Sequence, residues 1–173
     1  MATATYIPIE TYLSTSYEPD MDYVDGELED RNVGEYDHNM AQQMILFWFV
    51  QHGREWAIRG VQEQRTRLNV STVRIPDVSL FSRKTPIEQV FTRPPLVAIE
   101  VLSPEDRHAR MDRKIRHYIE FGVLNVWIID PKMRCGWNSS TGDWVRTSRF
   151  TVADTPIYLD LSELFAKIDE ENA

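Results

Sequence analysis

The chain has 173 residues, 42% hydrophobic and 27% charged, an ordinary composition for a globular protein with a substantial core. Its net charge of −8 argues against a protein that coats nucleic acid, because such proteins bind phosphates through many basic residues. The charge does not exclude a nuclease, since some acids can be active-site carboxylates that a metal ion neutralises. The longest apolar run, Met44 to Val50, is too short to span a bilayer, so we expect no membrane association.

The N-terminus and the cysteine content favour a cytoplasmic protein. Residues 1–5 carry no basic residue ahead of an apolar stretch and do not resemble a signal peptide. Cys135 is the single cysteine, which excludes an internal disulfide and fits a reducing compartment. No repeat, low-complexity tract or linker interrupts the chain, so residues 1–173 are predicted to form one domain.

The first half of the chain is predicted to contain a short helix, a hairpin, a long helix and two strands. These elements are expected over residues 8–15, 22–28, 40–52, 56–69 and 74–81. Asp25-Gly26 is the hairpin signal, and Asp37 or Asn39 is the expected cap of the long helix.

The second half is predicted to alternate strands and helices. Strands are expected over residues 96–102, 123–129, 133–137, 143–148 and 157–159, with helices over 105–121 and from 162 onward. The helix over 105–121 is the clearest, because Met111, Ile115 and Tyr118 follow the spacing of a buried stripe. The strand–helix–strand unit from 96 to 130 implies a parallel strand pair, whereas the remaining strands should be antiparallel, which predicts a mixed sheet.

Two carboxylates interrupt these apolar strands. Asp77 follows Pro76 in one run, and Glu100 lies in the middle of another. A buried acid costs free energy unless it is paired or bound to a cation, and a divalent metal relieves the repulsion between two converging acids. The alternatives are that Asp77 is a surface residue at a strand end and that Glu100 forms a structural ion pair with an arginine.

Lys114 lies on the predicted helix that follows the Glu100 strand, on the same face as Met111 and Tyr118. It could therefore return toward that strand, although a lysine at the edge of an apolar stripe can also simply extend into solvent. Two acids and a lysine are the minimum set for metal-assisted phosphodiester hydrolysis.

Other polar residues give weaker signals. Basic residues crowd the same helix, at Arg107, Arg110, Arg113, Lys114 and Arg116. His38 is interpreted as a capping or surface residue, and the histidines and lone cysteine cannot build a zinc site. There is no glycine-rich phosphate loop and no nucleophile elbow, so no small-molecule organic cofactor is expected.

Several short motifs follow one another in a distinctive order. They are Pro76-Asp77, the segment 99–104 (Ile-Glu-Val-Leu-Ser-Pro), Asp112-Arg113-Lys114, and the segments 118–123 and 126–131, preceded by residues 22–28 and His38. This order resembles the putative restriction endonuclease family, a bacterial branch of the PD-(D/E)XK nuclease superfamily, over roughly residues 10–165. Each motif alone would be weak evidence, whereas the central block is specific.

The resemblance implies a restriction-endonuclease-like α/β fold, in which helices flank a central mixed sheet, with DNA as the substrate and Mg²⁺ or Mn²⁺ as the cofactor. By their match to the family, Asp77 and Glu100 would be metal-binding acids, and the backbone carbonyl of Val101 would be a further ligand. Asp22 stands where family members often carry Glu, which makes it a candidate additional acid.

The catalytic lysine departs from the superfamily pattern. That pattern places it two residues after the Glu, where this chain has Leu102. The resemblance implies that the lysine has moved to the following helix, where Lys114 matches its position.

Three functions follow from these observations. The first is a metal-dependent DNA endonuclease in which Asp77 and Glu100 hold the metal and Lys114 stabilises developing charge. The second is a nucleic-acid-binding or assembly module that has lost turnover, and the third is a hydrolase of small phosphoesters. Cleavage of both DNA strands favours a homodimer, for which helix 40–50 and Trp144 are candidate interface surface or core.

Overall fold

The computed structural model describes residues 6–31, 34–104, 106 and 108–173. Helices α1 to α4 span Ile9–Leu13, Tyr36–His52, His108–Phe121 and Leu161–Glu171. Strands β1 to β12 span Asp22–Val24, Glu27–Glu29, Ile58–Gln62, Thr66–Arg67, Thr72–Arg74, Val78–Ser82, Val97–Val101, Val126–Asp130, Cys135–Asn138, Val145–Thr147, Arg149–Thr151 and Tyr158–Asp160. Glu105 and Arg107, at the predicted start of α3, lie outside the described residues.

The central sheet has the strand order β10-β9-β8-β7-β6-β3. Strands β7 and β8 are parallel, and the other neighbours are antiparallel, so the predicted mixed sheet is confirmed. A second sheet has the order β2-β1-β5-β4, and β11 pairs with β12.

Helices cover both faces of the central sheet. Along β7, Val97, Ile99 and Val101 belong to the core that also contains the apolar faces of α2 and α4. The alternate residue Ala98 packs in the core that contains the stripe of α3. Because side chains alternate along a strand, Glu100 shares the α3 face with Ala98.

The first hairpin is confirmed as predicted. Asp22 pairs with Glu29 across β1 and β2. The turn residues Asp25 and Gly26 have φ of 50° and 90°, as the tight hairpin turn with Asp-Gly requires. This hairpin brings Asp22 to β5, which pairs with the other side of β1.

The prediction of one long strand over 56–69 is wrong. Strand β3 ends at Gln62, and the next residue, Glu63, has a φ of 48°, which ends the extended backbone. Residues Thr66–Arg67 then pair with β5 in the second sheet. The two halves of the segment 56–69 therefore belong to different sheets. The sequence prediction also missed β11, a three-residue strand with one buried residue.

The predicted caps of α2 are also wrong. The N-cap is Glu35, with no capping hydrogen bond from its side chain, and Asp37 lies in the first turn. Most of the apolar helix is core, although Phe47 and Val50 are exposed, and Trp144 is half-buried. No helix among the described residues is long and apolar enough to cross a membrane.

Gly136 in β9 allows the Phe150 ring to pack closely against the central sheet. A Cβ at this position would lie 2.7 Å from the Phe150 ring and 2.9 Å from the Ile128 carbonyl oxygen. Phe150 is buried and stacks on Trp127, so it has little freedom to move away.

We therefore expect Gly136→Ala to lower the free energy of unfolding by about 1–3 kcal/mol, the usual cost of overpacking. Urea unfolding followed by circular dichroism measures this change. Thr141→Ala, in an exposed turn, is the control and should change stability by less than about 0.5 kcal/mol. Wild-type stability in Gly136→Ala would contradict the assigned packing.

Candidate active site

Strand register places the two predicted acids side by side. Strands β6 and β7 are antiparallel, with Val78 opposite Ile99. Asp77, one residue before Val78, therefore lies beside Glu100, one residue after Ile99. Directly opposed residues of an antiparallel pair project from the same face, so both acids belong to the α3 face. Both are buried, at 5% and 2% exposure.

Lys114 reaches these acids from α3. Its buried Nζ lies 3.0 Å from Glu100 Oε2 and 3.5 Å from Asp22 Oδ2. The stripe of Met111, Ile115 and Tyr118 packs on the sheet and turns Lys114 inward. The lysine is therefore not the solvent-extended residue of the alternative interpretation, and it replaces the arginine considered as the partner of Glu100.

Asp22 joins Lys114 to a second set of ion pairs, which also contains Arg74 and Glu29. Its Oδ1 accepts a hydrogen bond from the Ile75 N–H at 2.9 Å, and its Oδ2 accepts one from Arg74 at 3.0 Å. Arg74 is fully buried and also donates to Glu29 at 2.6 Å. Asp22 and Lys114 therefore connect the hairpin to α3.

Four neighbours of the two acids were not predicted as site residues. Arg31 donates to Asp77 Oδ1 at 3.1 Å, and Tyr118 donates to Glu100 Oε1. His38 Nε2 lies 3.4 Å from Asp77 Oδ2, and Gln42 donates to the Asp77 backbone carbonyl at 3.0 Å.

The interpretation of His38 as a capping or surface residue is therefore wrong, since the residue is only 7% exposed. The spacing of His38 and Gln42, one turn apart beside the buried Ala41 and Ile45, was a signal that both face the core. Arg31 follows a hairpin in an irregular segment, and no sequence pattern indicated its position.

Several of these side chains line a partly open cavity of about 20 Å³, large enough for one water-sized particle. Its lining residues are Arg31, His38, Asp77, Glu100, Val101, Ser103, Asp106, Arg110 and Lys114. The Val101 N–H donates to Asp77 Oδ2 at 2.8 Å. The role of the Val101 carbonyl as a metal ligand stays a prediction.

The surrounding cations favour the charged form of two of the acids. Burial acts to raise the pKa of Asp77, but the His38 hydrogen bond and the charges of His38, Lys114 and Arg31 hold it below its usual value. Burial likewise opposes the charge of Asp22, yet the nearby Lys114 and Arg74 keep its pKa below the usual value.

Glu100 behaves differently from Asp77. Burial raises its pKa, and repulsion from Asp77 and Asp22 adds to this effect, so the attraction of Lys114 does not restore the usual value. For Lys114, burial acts to lower the pKa, but Asp22, Glu100 and Asp77 together raise it. Lys114 is therefore a fixed cation. The expected repulsion between the acids raises the pKa of Glu100, whereas the pKa of Asp77 stays lowered.

The donor chemistry of the cavity fits Mg²⁺ or Mn²⁺. Magnesium is usually held by one or two carboxylates, with water and substrate phosphates completing the shell. Among the described residues, no group of three or more His, Cys, Asp or Glu side chains is arranged to hold a metal. Asp77 and Glu100 offer the two carboxylates that magnesium usually takes from a protein, fewer than the three or four protein ligands of a zinc site.

A comparison with known protein families matches the part of the chain that contains this site. The model of the Uma2 family, described as Putative restriction endonuclease, matches residues 9–160. The chain belongs to this family. The family match includes all the residues that the sequence resemblance singled out, from Asp22 to Lys114. Membership supports a nuclease, and no match was found among curated proteins.

Two solved structures are similar to this member of the Putative restriction endonuclease family. One is the crystal structure of a putative nuclease belonging to DUF820 from Anabaena variabilis ATCC 29413, with a TM-score of 0.72 and 18% identity. The match covers 94% of this chain and 99% of that one, so the restriction-endonuclease-like fold expected from the sequence is confirmed.

The other is a cryo-electron microscopy structure of a DrdV–DNA complex, with a TM-score of 0.39 and 14% identity. It is matched over 75% of this chain and 10% of that one. A TM-score of this size establishes neither a shared fold nor a shared function.

The opposite pKa shifts predict unequal effects of neutralising the two acids. At pH 7 with chelator, Asp77→Asn should lower the free energy of unfolding by about 1.5–3 kcal/mol, because the charged acceptor of buried hydrogen bonds is lost. Glu100→Gln should be less destabilising than Asp77→Asn, because the folded protein disfavours the Glu100 charge and Lys114 keeps Asp22 as a partner. Urea and thermal unfolding measure both changes.

The pH dependence gives the control. The lowered pKa of Asp77 provides stability above the unfolded value near pH 4, and this is lost as the pH falls through the folded value. The raised pKa of Glu100 acts in the opposite sense, so the advantage of Glu100→Gln over Asp77→Asn should shrink as the pH falls through the folded value. Equal destabilisation by both variants would contradict these assignments.

Proposed function

We propose that this protein is an endonuclease that hydrolyses phosphodiester bonds of DNA with Mg²⁺ or Mn²⁺ held by Asp77 and Glu100. One observation carries the proposal: two buried carboxylates and the Lys114 ammonium line the same small cavity. Family membership supports the nuclease class. The substrate, the metal and the catalytic roles are part of the proposal.

Each residue has a role that follows from its charge. Asp77 and Glu100 provide the oxygen ligands, and His38 and Gln42 fix Asp77 through its side chain and its backbone. A divalent cation bound to the two acids would polarise the phosphate and lower the pKa of the attacking water. In hydrolysis, the water oxygen bonds to phosphorus and gives up a proton to solvent, the bond to the leaving sugar oxygen breaks, and that oxygen takes up a proton.

Lys114 acts as a cation in this proposal. Because its pKa is raised, it is protonated at neutral pH and unsuited to be the base that deprotonates water. Asp22 and Glu100 fix the ammonium, which can donate to a phosphate oxygen as negative charge develops. Asp22 is then a positioning residue rather than a metal ligand, because it does not line the cavity that Asp77 and Glu100 share.

The proposal includes a homodimer, because cleavage of both strands of a duplex suits two sites related by two-fold symmetry. It also includes a cytoplasmic location, which the single cysteine supports. The alternative is a nucleic-acid-binding or assembly module without turnover. The cations already paired with Asp77 and Glu100 favour that alternative, since they neutralise the acids without a metal.

Incubation with plasmid DNA tests the proposed activity. With Mg²⁺ or Mn²⁺, the wild type should nick or linearise supercoiled DNA, and chelator should stop cleavage. Asp77→Asn should lose metal-dependent cleavage, whereas Asp143→Asn, an exposed acid outside the cavity, should cleave like the wild type. If the wild type binds but does not cut supercoiled, linear or single-stranded DNA with either metal, the binding-module function replaces this one.

The role of Lys114 is tested by single-turnover cleavage of a labelled duplex. Lys114→Ala should cleave about 10²–10³-fold more slowly, the usual effect of removing an electrostatic donor to a developing charge. Lys114→Arg should recover little, because the planar guanidinium cannot occupy the place of the ammonium. Lys114→Ala removes the cation between the carboxylates of Asp22 and Glu100, which then repel each other. Thermal unfolding must therefore show that this variant is folded at the assay temperature.

The matched control is Lys167→Ala on α4, whose ammonium lies over the Trp48 ring on the other side of the sheet. It should cleave at the wild-type rate. Cleavage by Lys114→Ala at the wild-type rate would remove the lysine from the mechanism.

A further inference from the structure

Arg31 occupies one of the carboxylate oxygens that a metal would use. Its Nη2 lies 3.1 Å from Asp77 Oδ1 and 3.6 Å from Glu63 Oε1. Its side chain is 11% exposed, whereas the side chain of Glu63 is 52% exposed. Arg31 therefore bridges the buried carboxylate of Asp77 and the exposed carboxylate of Glu63.

The cavity is already neutralised by its own side chains. Its described lining contains three carboxylates and three permanent cations, namely Asp77, Glu100, Asp106, Arg31, Arg110 and Lys114. A divalent cation entering this lining would add two positive charges beyond those that its three carboxylates already balance. Binding is therefore favoured if one of these cations leaves or if an anion enters together with the metal.

Arg31 is the cation best placed to leave. Lys114 lies between two buried acids, Asp22 and Glu100, and its loss from either would leave a buried charge unpaired. Arg31 instead lies two residues after β2, outside the helices and strands, and has an outer partner at the surface. Its guanidinium also matches the oxygens of a phosphate group, to which it can donate two hydrogen bonds.

We infer that Arg31 is an exchangeable counter-ion of Asp77, which transfers to a DNA phosphate when the divalent cation binds. The inference rests on the proposed function, because it takes Asp77 as a metal ligand. It makes Arg31 a substrate-binding residue that lowers metal affinity in the absence of DNA. Metal and DNA then favour each other's binding, because the phosphate provides the guanidinium with a new partner.

Calorimetric titration of the full chain with Mn²⁺, without DNA, tests this exchange. Arg31→Met should bind Mn²⁺ at least about tenfold more tightly than the wild type, since an opposite charge next to a carboxylate typically changes its affinity for a proton by 10-fold or more. Arg31→Gln, which also removes the charge but keeps a polar group, should show the same direction and serves if Arg31→Met does not fold.

Arg113→Met is the control for the loss of one positive charge. Arg113 pairs with Glu29, has a side chain that is 45% exposed and does not line the cavity. Its Mn²⁺ affinity should remain within about twofold of the wild type, since surface ion pairs contribute little. Tightening of the same size in Arg113→Met would overturn the inference, because general charge would then explain the effect.

A second measurement follows the transfer to DNA. The affinity for a phosphorothioate duplex that resists cleavage should rise with Mn²⁺ in the wild type and rise less in Arg31→Met. Fluorescence anisotropy with and without Mn²⁺ measures both effects. An equal rise in the two proteins would overturn the assignment of Arg31 to the phosphate.

Asp77→Asn separates failure of the inference from failure of the proposed function. If this variant loses Mn²⁺ binding while Arg31→Met binds no more tightly than the wild type, the metal site stands and the counter-ion inference is wrong. If the wild type and Asp77→Asn bind Mn²⁺ equally, or neither binds, the proposed metal site is wrong and the inference falls with it.

Discussion

The Lys114 ammonium, buried between the carboxylates of Asp22 and Glu100, is the interaction on which the site depends. It joins three parts of the chain that are distant in sequence: the first hairpin, the central strand β7 and the helix α3. Each acid would be costly to bury alone, and the lysine would be equally costly without them. Assembly of the site and packing of α3 on the sheet are therefore one event.

This network has consequences for the chemistry. Because the acids hold the lysine in its charged form, its part in hydrolysis is electrostatic, and the proton of the attacking water must go elsewhere. The same network raises the pKa of Glu100 while that of Asp77 is lowered, so the two proposed metal ligands differ in their readiness to be charged. A divalent cation would stabilise the charged form of Glu100 more than that of Asp77, since it would offset the repulsion that raises the pKa of Glu100.

Local pattern was sufficient for elements that obey a single periodicity. The stripe of α3, the Asp-Gly turn and the parallel pair of β7 and β8 were all predicted from short segments. The wrong strand prediction lies where the chain changes from one sheet to another. Residues 56–69 have strand-like composition throughout, but Glu63 breaks the strand so that the two halves join different sheets. Composition cannot indicate which sheet a strand joins, because the pairing partners are far away in sequence.

The sequence by itself determined the fold class and the family, and it singled out Asp77, Glu100 and Lys114. Acids inside apolar runs and a lysine beside a buried stripe are anomalies that can be seen within a few residues. Only the tertiary structure decided their partners. Arg31 and His38 contact Asp77 across sequence separations of 46 and 39 residues, and the helical spacing that turns His38 toward the core does not name Asp77 as its partner. The physical reason is that the charge state of a buried acid depends on everything within a few ångströms of it, and the sequence specifies those neighbours only through the completed fold.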